Sequence, residues 1–272
     1  MREPIAGKVV IVTGASSGIG RETALLLGKQ QARLVLVARR KQHLEQIQKQ
    51  VEPAGAKVLS LALDLTDREA VREMVNRTKE EFDRIDVLIN NAGFGFFGTV
   101  EKTPQVVVRE IFALNFEAPL FASQLVIPMM RAQKSGQIIN VGSVAGKRGL
   151  PLSGIYCATK FALDGLTQAL RLEVEDAGID VTLVNPAATR TEFSEHLRHG
   201  DVVGEFRSLG RVQSAQTVAA AIVRAIRNPT AEVYPYGFSR GLVWINAAVP
   251  SLTDRLVKRA LKDRIRAAKA TT

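Results

Sequence analysis

The sequence predicts a single α/β domain in which a doubly wound parallel sheet lies between two layers of helices, a three-layer αβα arrangement. Short apolar runs rich in Val, Ile and Leu alternate with longer amphipathic stretches over most of the chain, and neither a linker nor an internal repeat divides it. Uniformly apolar runs are typical of strands that are covered on both faces. Their alternation with helices favours parallel pairing through right-handed crossovers.

Six strands are predicted, and they cover Val9–Thr13, Arg33–Ala38, 57–63, Val87–Asn90, 137–141 and 180–185. Apolar residues at helical spacing predict helices between them, over 19–30, Lys41–Val51, 67–82, 104–131 and 155–177. We expect Pro119 to divide the fourth of these stretches into two helices, because proline interrupts helical hydrogen bonding.

The alternation breaks at residues 187–213, which are highly charged and lack a period. We interpret this segment as a substrate loop near the ligand end of the sheet. A helix over 214–227 and a strand over 231–234 are predicted to follow, so residues 1–237 form the expected catalytic domain. The remainder, 238–272, is an apolar and basic extension with the pattern of an amphipathic helix.

Composition narrows the classes of function. Cys157 is the only cysteine, so no intrachain disulfide can form and a reducing, cytoplasmic compartment is expected. The first eight residues contain no long apolar stretch, so we expect no signal peptide. The net charge is +10, and half of it lies from Asp254 onward, in a tail without a nucleic-acid-binding motif. A nucleic-acid partner is therefore not predicted.

A glycine-rich turn follows the first predicted strand and has the sequence GASSGIG over residues 14–20. A strand, a glycine turn and a helix N-terminus together collect backbone N–H groups that suit a pyrophosphate, as in Rossmann-type folds. Here Gly14 allows the tight turn, Gly18 allows close approach to the backbone, and Gly20 allows the helix to pack on the strand. An ordinary turn with chance glycines is the alternative, but the position after the first strand favours a phosphate site.

The end of the second strand bears on coenzyme choice. Folds of this kind that select NAD usually place an acidic residue there, whereas this chain has Ala38 followed by Arg39 and Arg40. A guanidinium group matches the oxygen geometry of a phosphate, so the sequence predicts that NADP(H) is preferred over NAD(H), with Arg39 the better candidate. The alternative is that both arginines only begin a solvated helix.

The motif TGxxxGxG at Thr13–Gly14–Gly18–Gly20, together with the sequence NNAG over residues 90–93, resembles the short-chain dehydrogenase/reductase family. The resemblance covers roughly residues 7–191. It implies hydride transfer between a nicotinamide coenzyme and a ketone or secondary alcohol. It also implies the coenzyme-binding residues Thr13, Gly14, Ser16, Ser17, Gly18, Ile19, Gly20, Arg39, Arg40, Asp64, Leu65, Asn91, Ala92, Gly93, Tyr156, Lys160, Pro186, Thr189 and Thr191.

Asn115, Ser143, Tyr156 and Lys160 follow in the order and at the spacing of the family's catalytic residues. Tyr156 and Lys160 are four residues apart and share one helix face. The pKa of a free tyrosine is about 10, and a nearby ammonium group and a positive nicotinamide lower it, so Tyr156 can exchange a proton with the substrate oxygen. By resemblance, Lys160 also binds the ribose, Ser143 orients the substrate, and Asn115 holds a water that links Lys160 to solvent. A bare Tyr-x-x-x-Lys motif is usually a surface pair; the surrounding motifs favour the catalytic interpretation.

One position departs from the family, because Ala187 follows Pro186 where a glycine is usual. We expect this to change the local turn and not the reaction. On the substrate side, Phe94, Phe96 and Phe97 crowd one loop, and Leu150, Leu152 and Phe193 are expected to wall the same cleft. Candidate substrate residues are therefore Ser143, Phe94, Leu150 and Phe193. An apolar wall suits a lipophilic or aromatic carbonyl compound, although the phenylalanines could equally pack the loop down.

Several alternatives remain open at this point. The leading interpretation is a carbonyl reductase; a 3-oxoacyl reductase and a catalytically silent, NADP(H)-binding redox sensor are the others. The resemblance implies a homo-oligomer. We expect no metal site, because His43, His196 and His199 lack ligand spacing, and we expect Cys157 to pack rather than react.

The extension over 238–272 combines an apolar patch at residues 242–249 with a helical stripe at Leu252, Leu256, Ala260 and Leu261 and basic residues beside it. This pattern is compatible with peripheral contact to a membrane, but packing on protein is the favoured interpretation, because apolar stripes usually contact protein first.

Overall fold

The fold is described from a computed structural model, which covers residues 4–193, 197–201 and 212–262. A parallel sheet of seven strands forms its centre. Its strands are β1 (Val9–Thr13), β2 (Arg33–Ala38), β3 (Lys57–Ala62), β4 (Val87–Asn90), β6 (Gly136–Val141), β7 (Ile179–Val184) and β11 (Glu232–Val233). Across the sheet they lie in the order β11-β7-β6-β4-β1-β2-β3. The predicted doubly wound parallel sheet between helix layers is thus confirmed.

Helices connect the strands and cover both faces of the sheet. They are α1 (Gly18–Gly28), α2 (Lys41–Val51), α3 (Arg68–Phe82), α4 (Gln105–Phe112), α5 (Ala118–Gln133), α6 (Gly154–Val174) and α7 (Ala215–Arg227). Two further helices, α8 (Phe238–Ala248) and α9 (Pro250–Ala260), follow the last strand. α1, α2 and α7 share one apolar cluster with the sheet, and α3, α5 and α6 share another. Within β1, Val10 and Val12 face the first cluster while Val9 and Ile11 face the second, which explains why the strand is apolar at every position.

The chain leaves β1 toward β2 and β3 and then crosses to the other side, where β4 pairs with β1. The strand order therefore reverses between β1 and β4. A crevice opens at such a reversal, beyond the carboxyl ends of the strands, and it is the usual ligand site of an open parallel sheet. Thr13 and Asn90 are the last residues of these two strands, and the loops that follow them lead into this crevice.

The predicted break at Pro119 takes a different form. A π turn over Ala113–Glu117 joins α4 directly to α5, so that Gln105–Gln133 is one long helix with an irregular turn ahead of the proline. By length and composition this is the one described helix that could cross a membrane. In the fold it lies on the sheet, with Phe121, Val126 and Met130 buried in the core, as expected of the central helix of a globular domain.

Residues after β7 take part in two short parallel ladders that the sequence pattern did not predict. β8 (Thr189–Arg190) pairs with β10 (Gln213–Ser214), and β5 (Phe96–Phe97) pairs with β9 (Arg198–His199). The predicted substrate loop therefore contains short strands in its described part. Residues 194–196 and 202–211 of that loop, His196 among them, lie outside the described residues, as do residues 263–272 of the predicted extension.

Candidate active site

One cleft runs across the carboxyl edge of the sheet, from the glycine turn after β1 to the C-terminal helices α8 and α9, with a volume of about 1320 Å³. Ligand pockets for small molecules usually measure roughly 300–1,000 Å³, so this cleft has room for a dinucleotide and a further substrate. Nearly all the residues proposed from the sequence line it. The lining includes Gly14, Ser16, Ser17, Gly18, Ile19, Arg39, Arg40, Asp64, Leu65, Asn91, Ala92, Gly93, Phe94, Ser143, Leu150, Tyr156, Lys160, Pro186, Thr189, Thr191 and Phe193.

The glycine turn has the backbone geometry that its sequence requires. Gly14 has a φ of +65°, in the left-handed region that favours glycine. A Cβ atom on Gly20 would lie 2.3 Å from the Gly14 carbonyl oxygen, so only glycine lets α1 pack this closely on the turn. The helix begins at Gly18, and the Ser17 side chain makes no capping hydrogen bond to it. The turn and the first N–H groups of α1 form a cradle for an anion at the edge of the cleft.

Thr13 and Asn91 hold this turn against the neighbouring strand. Thr13 Oγ1 accepts hydrogen bonds from the N–H groups of Asn91 (2.9 Å) and Ala92 (3.0 Å) and donates to the Ile89 carbonyl. Asn91 Nδ2 donates to the Thr13 carbonyl at 2.8 Å. Thr13 and Gly20, which the sequence placed among coenzyme-contacting residues, do not line the cleft. Thr13 is buried and Gly20 packs against Gly14, so both shape the turn from behind.

The two arginines after β2 have different surroundings. The Arg40 guanidinium lies 3.2 Å from Ser16 Oγ and 2.9 Å from a carboxylate oxygen of Glu192. Arg39 is 71% exposed, and its nearest acidic group, Asp64, is 3.8 Å away. At the end of the cleft beside Ala38, each arginine therefore has an acidic neighbour. Only Arg40 is already joined to the glycine turn.

Ser143, Tyr156 and Lys160 meet in the middle of the cleft. Ser143 follows β6 and caps a short 3-10 turn, with its Oγ accepting a hydrogen bond from the Ala145 N–H at 3.1 Å. Tyr156 lies in the first turn of α6 and lines the cleft together with Ser143. Lys160 lies one turn later, and its Nζ donates to the Val141 carbonyl at 2.8 Å and stands 5.9 Å from the centre of the Tyr156 ring. The predicted shared helix face therefore brings phenol and ammonium to one place.

Burial sets the proton affinities of this pair. Burial raises the pKa of Tyr156 to about 12, and the nearby Ser143 side chain acts in the opposite direction. Burial lowers the pKa of Lys160 to about 8. At neutral pH the protein alone therefore presents Tyr156 as a phenol, which is the form that can donate a proton.

Asn115 lies in the π turn and is fully buried, so it does not line the cleft. Its Oδ1 accepts from the Phe94 N–H at 3.0 Å, and its Nδ2 donates to the Phe94 carbonyl at 2.9 Å and to Thr159 Oγ1 at 3.2 Å. The side chain thus fixes the loop after β4 to α6, one residue from Lys160. The water link that the resemblance implied stays a prediction.

The half of the cleft between Tyr156 and the C-terminal helices is mostly apolar. Phe94, Leu150, Leu152 and Phe193 line it, and the Phe193 ring lies 5.8 Å from that of Tyr156. Phe97 also lines it, whereas Phe96 is buried in the β5–β9 ladder away from the cleft. Leu152 has a φ of +66°, a left-handed conformation that is strained for a leucine. Substrate-facing and loop-packing roles are therefore divided among the phenylalanines.

The loop after β6 also attaches the C-terminal helices, through residues that the sequence did not single out. Arg148 donates to Asn246 Oδ1 of α8 at 3.0 Å and to Asp254 Oδ1 of α9 at 2.5 Å. The neighbouring Lys147 pairs with Asp164 (2.8 Å) and with Glu232 (2.7 Å). These partners are 17 to 106 residues away in sequence, and no local pattern links them. α8 and α9 close the apolar end of the cleft.

These residues fit a nicotinamide dinucleotide. The two arginines beside Ala38, the glycine cradle and the Tyr156–Lys160 pair lie in that order along one continuous cleft. Asp64 and Leu65 line the same end as Ala38, where the resemblance places the adenine ring. Within the described residues, no group of three His, Cys, Asp or Glu side chains could hold a metal ion. Cys157 is buried, and its Sγ accepts a hydrogen bond from the Leu150 N–H at 3.3 Å.

Comparison with known proteins identifies the family. Residues 8–201 match the model of the short chain dehydrogenase family. An uncharacterised oxidoreductase of Staphylococcus saprophyticus is 38% identical over 228 residues, 83% of this chain and 92% of that protein. The ketoacyl reductase HetN of a Nostoc species is 33% identical over 230 residues, 84% of this chain and 78% of that protein.

Solved structures of short-chain dehydrogenases have the same fold as this chain. A short-chain dehydrogenase/reductase from Burkholderia phymatum in complex with NAD superposes with a TM-score of 0.82 at 25% identity, covering 92% of this chain and 96% of that one. A short-chain dehydrogenase from Sphingobium yanoikuyae in complex with NADPH gives 0.78 at 30% identity, covering 91% and 96%. The chain belongs to the short-chain dehydrogenase/reductase family and is an NAD(P)-dependent oxidoreductase that acts on CH–OH groups.

Proposed function

We propose that this chain is an NADP(H)-dependent carbonyl reductase that interconverts lipophilic or aromatic ketones and secondary alcohols. The observation that supports it best is the position of Tyr156. It stands between the coenzyme half and the apolar half of one cleft, where Ser143 also lines the cleft, and one helical turn from Lys160. A substrate carbonyl in the apolar half can reach both hydroxyl groups.

The bound nicotinamide would supply or accept the hydride at the substrate carbon. In the reductive direction, Ser143 orients the substrate oxygen and Tyr156 donates its phenolic proton to that oxygen as negative charge develops. The ammonium group of Lys160 then stabilises the resulting phenolate, and it also binds the ribose of the coenzyme. In the oxidative direction the same phenolate accepts the alcohol proton. Asn115 positions this machinery through the Phe94 backbone.

The preference for NADP(H) rests on charge. No acidic residue stands at Ala38 to bind a ribose 2′-hydroxyl, while Arg39, Arg40 and Ser16 can surround a 2′-phosphate. The contact between Arg40 and Ser16 makes Arg40 at least as good a ligand as Arg39, which the sequence alone favoured. Asp64 and Leu65 would flank the adenine, and Pro186, Thr189 and Thr191 the nicotinamide.

A 3-oxoacyl reductase is the second candidate, because the relative from Nostoc carries the name ketoacyl reductase and the apolar half of the cleft is long. A silent redox sensor is a weaker proposal. Such a protein would not need Ser143, Tyr156 and Lys160 in one arrangement.

We assign residues 1–237 to the catalytic domain, 187–213 to its substrate loop and 238–272 to a C-terminal extension that completes the cleft. A cytoplasmic homo-oligomer is proposed from the family and from exposed apolar side chains on α4 and α6, namely Val106, Phe161 and Leu172. We also propose peripheral membrane contact through the extension.

A substrate panel tests the proposed reaction. Oxidation of NADPH and NADH is followed with aromatic ketones, long-chain ketones and 3-oxoacyl thioesters of matched chain length. Faster turnover of free ketones with NADPH supports the carbonyl reductase. Preference for thioesters would favour the second candidate, and NADPH binding without turnover of any compound would favour the sensor.

A further inference from the structure

The C-terminal helices carry an exposed apolar surface. Of the thirteen large apolar side chains that are exposed among the described residues, seven lie between Phe238 and Leu256. We call these seven the C-terminal patch, and they are Phe238, Leu242, Trp244, Ile245, Val249, Leu252 and Leu256. Trp244 is 64% exposed, which is unusual for the largest apolar side chain. Seven exposed large apolar side chains on two adjoining helices mark a surface that binds something.

Positive charge adjoins the patch. On α9, Leu252 and Leu256 share one face, and Arg255, Lys258 and Arg259 form the exposed face beside it. Lys262 continues that basic face. On α8 the Arg240 guanidinium lies 5.1 Å from the centre of the Trp244 ring. Between Phe238 and Lys262 the one acidic residue is Asp254, which is paired with Arg148. The surface therefore combines apolar side chains with net positive charge.

We infer that the C-terminal patch docks on a membrane surface that contains anionic lipids. Apolar side chains flanked by lysine and arginine fit the boundary between acyl chains and negatively charged headgroups. A second copy of this chain is a less suitable partner for the patch. In a two-fold symmetric contact the basic faces of the two copies would lie against each other and repel. α8 and α9 are each 11 residues long, so they lie on the surface and do not cross it.

The cleft opens within this surface. Phe238, Leu242 and Leu256 belong to the patch and also line the cleft, while Val257 and Leu261 line it from the inner side of α9. Docking would therefore place the apolar end of the cleft against the bilayer. If the proposed reaction on lipophilic ketones holds, substrates enter from the lipid phase; docking itself does not depend on that reaction.

The chain contains a single tryptophan, Trp244, which makes docking directly observable. The full-length protein is mixed with vesicles of phosphatidylcholine alone or of phosphatidylcholine and phosphatidylglycerol. Binding is read by co-sedimentation and by the wavelength of tryptophan emission. We expect binding to the anionic vesicles with a blue shift, weakened by salt, and little binding to the neutral ones.

Two variants test the two parts of the surface. Ile245→Ser with Val249→Ser removes apolar side chains that do not line the cleft and keeps the tryptophan reporter. Lys258→Glu with Arg259→Glu reverses charge on α9 and should weaken binding at least about 30-fold. Lys49→Glu with Arg131→Glu, on the exposed surfaces of α2 and α5, makes the same change in net charge elsewhere and should leave vesicle binding within a few-fold of the unaltered protein.

Circular dichroism confirms that each variant is folded, and sedimentation velocity gives its oligomeric state. Absence of vesicle binding by the unaltered protein would overturn the inference, as would equal loss in the Lys49/Arg131 control. A change from oligomer to monomer in the Ile245/Val249 variant would instead assign the patch to a contact between copies. None of these readouts requires turnover, so they stand apart from any failure of the proposed reaction.

Discussion

Arg40 Nη1 lies 2.9 Å from Glu192 Oε2, which joins the end of β2 to a residue of the substrate loop 152 positions later. The same guanidinium contacts Ser16 Oγ of the glycine turn. A carboxylate therefore stands next to the group that we propose for binding a 2′-phosphate. Glu192 and the phosphate would compete for one arginine.

Glu192→Gln should accordingly tighten NADP⁺ binding. The pair is partly exposed, so removal of its charge should lower the Kd for NADP⁺ and for 2′,5′-ADP only about two- to fivefold. NAD⁺ and 5′-AMP should be unaffected. Isothermal titration calorimetry measures all four ligands, and Glu110→Gln, which removes the partner of Arg198, serves as a control. Equal changes for ligands with and without the phosphate would contradict the competition.

Arg40→Ala should weaken NADPH by roughly 1.5–3 kcal/mol, the scale of a hydrogen bond to a charged group. Arg39→Ala should weaken it less, because this side chain is mostly exposed. NADH affinity should barely change in either variant. Fluorescence titration of both coenzymes gives the comparison. If Arg39→Ala lost more NADPH affinity than Arg40→Ala, Arg39 would be the main ligand of the 2′-phosphate, as the sequence predicted.

Tyr156→Phe keeps the ring and removes the proton donor. We expect turnover to fall by roughly 10²–10⁴-fold with NADPH affinity nearly unchanged. Steady-state kinetics on the best ketone of the panel, together with a coenzyme titration, checks both expectations. Activity close to that of the unaltered enzyme would rule out Tyr156 as the acid.

Lys160 should leave a signature in the pH dependence of stability. Its pKa is about 8 in the fold and about 10.4 when unfolded, so between these values the unfolded chain binds more protons and stability from this group rises with pH. The full penalty of burying the charged form applies below pH 8. The free energy of unfolding of the native protein minus that of Lys160→Met should increase by about 2 kcal/mol from pH 8 to pH 10. Urea unfolding at a series of pH values measures it, and a flat difference would contradict the lowered pKa.

Arg148→Met should loosen the C-terminal helices, because this side chain holds both Asn246 and Asp254. We expect faster amide hydrogen exchange in α8 and α9 and a several-fold higher KM for a long-chain ketone. The kcat for a small ketone should change little. Exchange mass spectrometry and kinetics on both substrates separate these effects. Unchanged exchange in both helices would show that Arg148 does not anchor them.

The inner strands were predictable because burial on both faces makes them mostly apolar. β1, β2 and β4 have the predicted bounds, and β3, β6 and β7 differ by one residue at one or both ends. The helix predicted over 67–82 begins one residue later, because the Asp67 side chain caps α3 by accepting a hydrogen bond from the Glu69 N–H. Motif residues could be assigned to the cleft because glycine turns and the Tyr-x-x-x-Lys spacing impose local geometry.

What could not be predicted depends on distant contacts. Glu192 and Arg148 carry no local signal, since each acquires its role from partners about a hundred or more residues away. The ladders formed by β5 and β9 and by β8 and β10 are two residues long, too short for any periodicity to be detected. The predicted break at Pro119 does not form, because α5 accommodates the proline in its first turn, directly after the π turn.

The π turn around Asn115 constrains which changes of length this protein can tolerate. Each residue of a helix turns the following side chains by about 100°, so the extra residue in that turn sets the phase between α4 and α5. Deleting one residue between Glu117 and Val126 would either swing Asn115 away from Phe94 or turn Val126 and Met130 out of the core. Substitutions can accumulate along this segment in many combinations, but the number of residues between Glu117 and Val126 is held fixed by the contacts at its two ends.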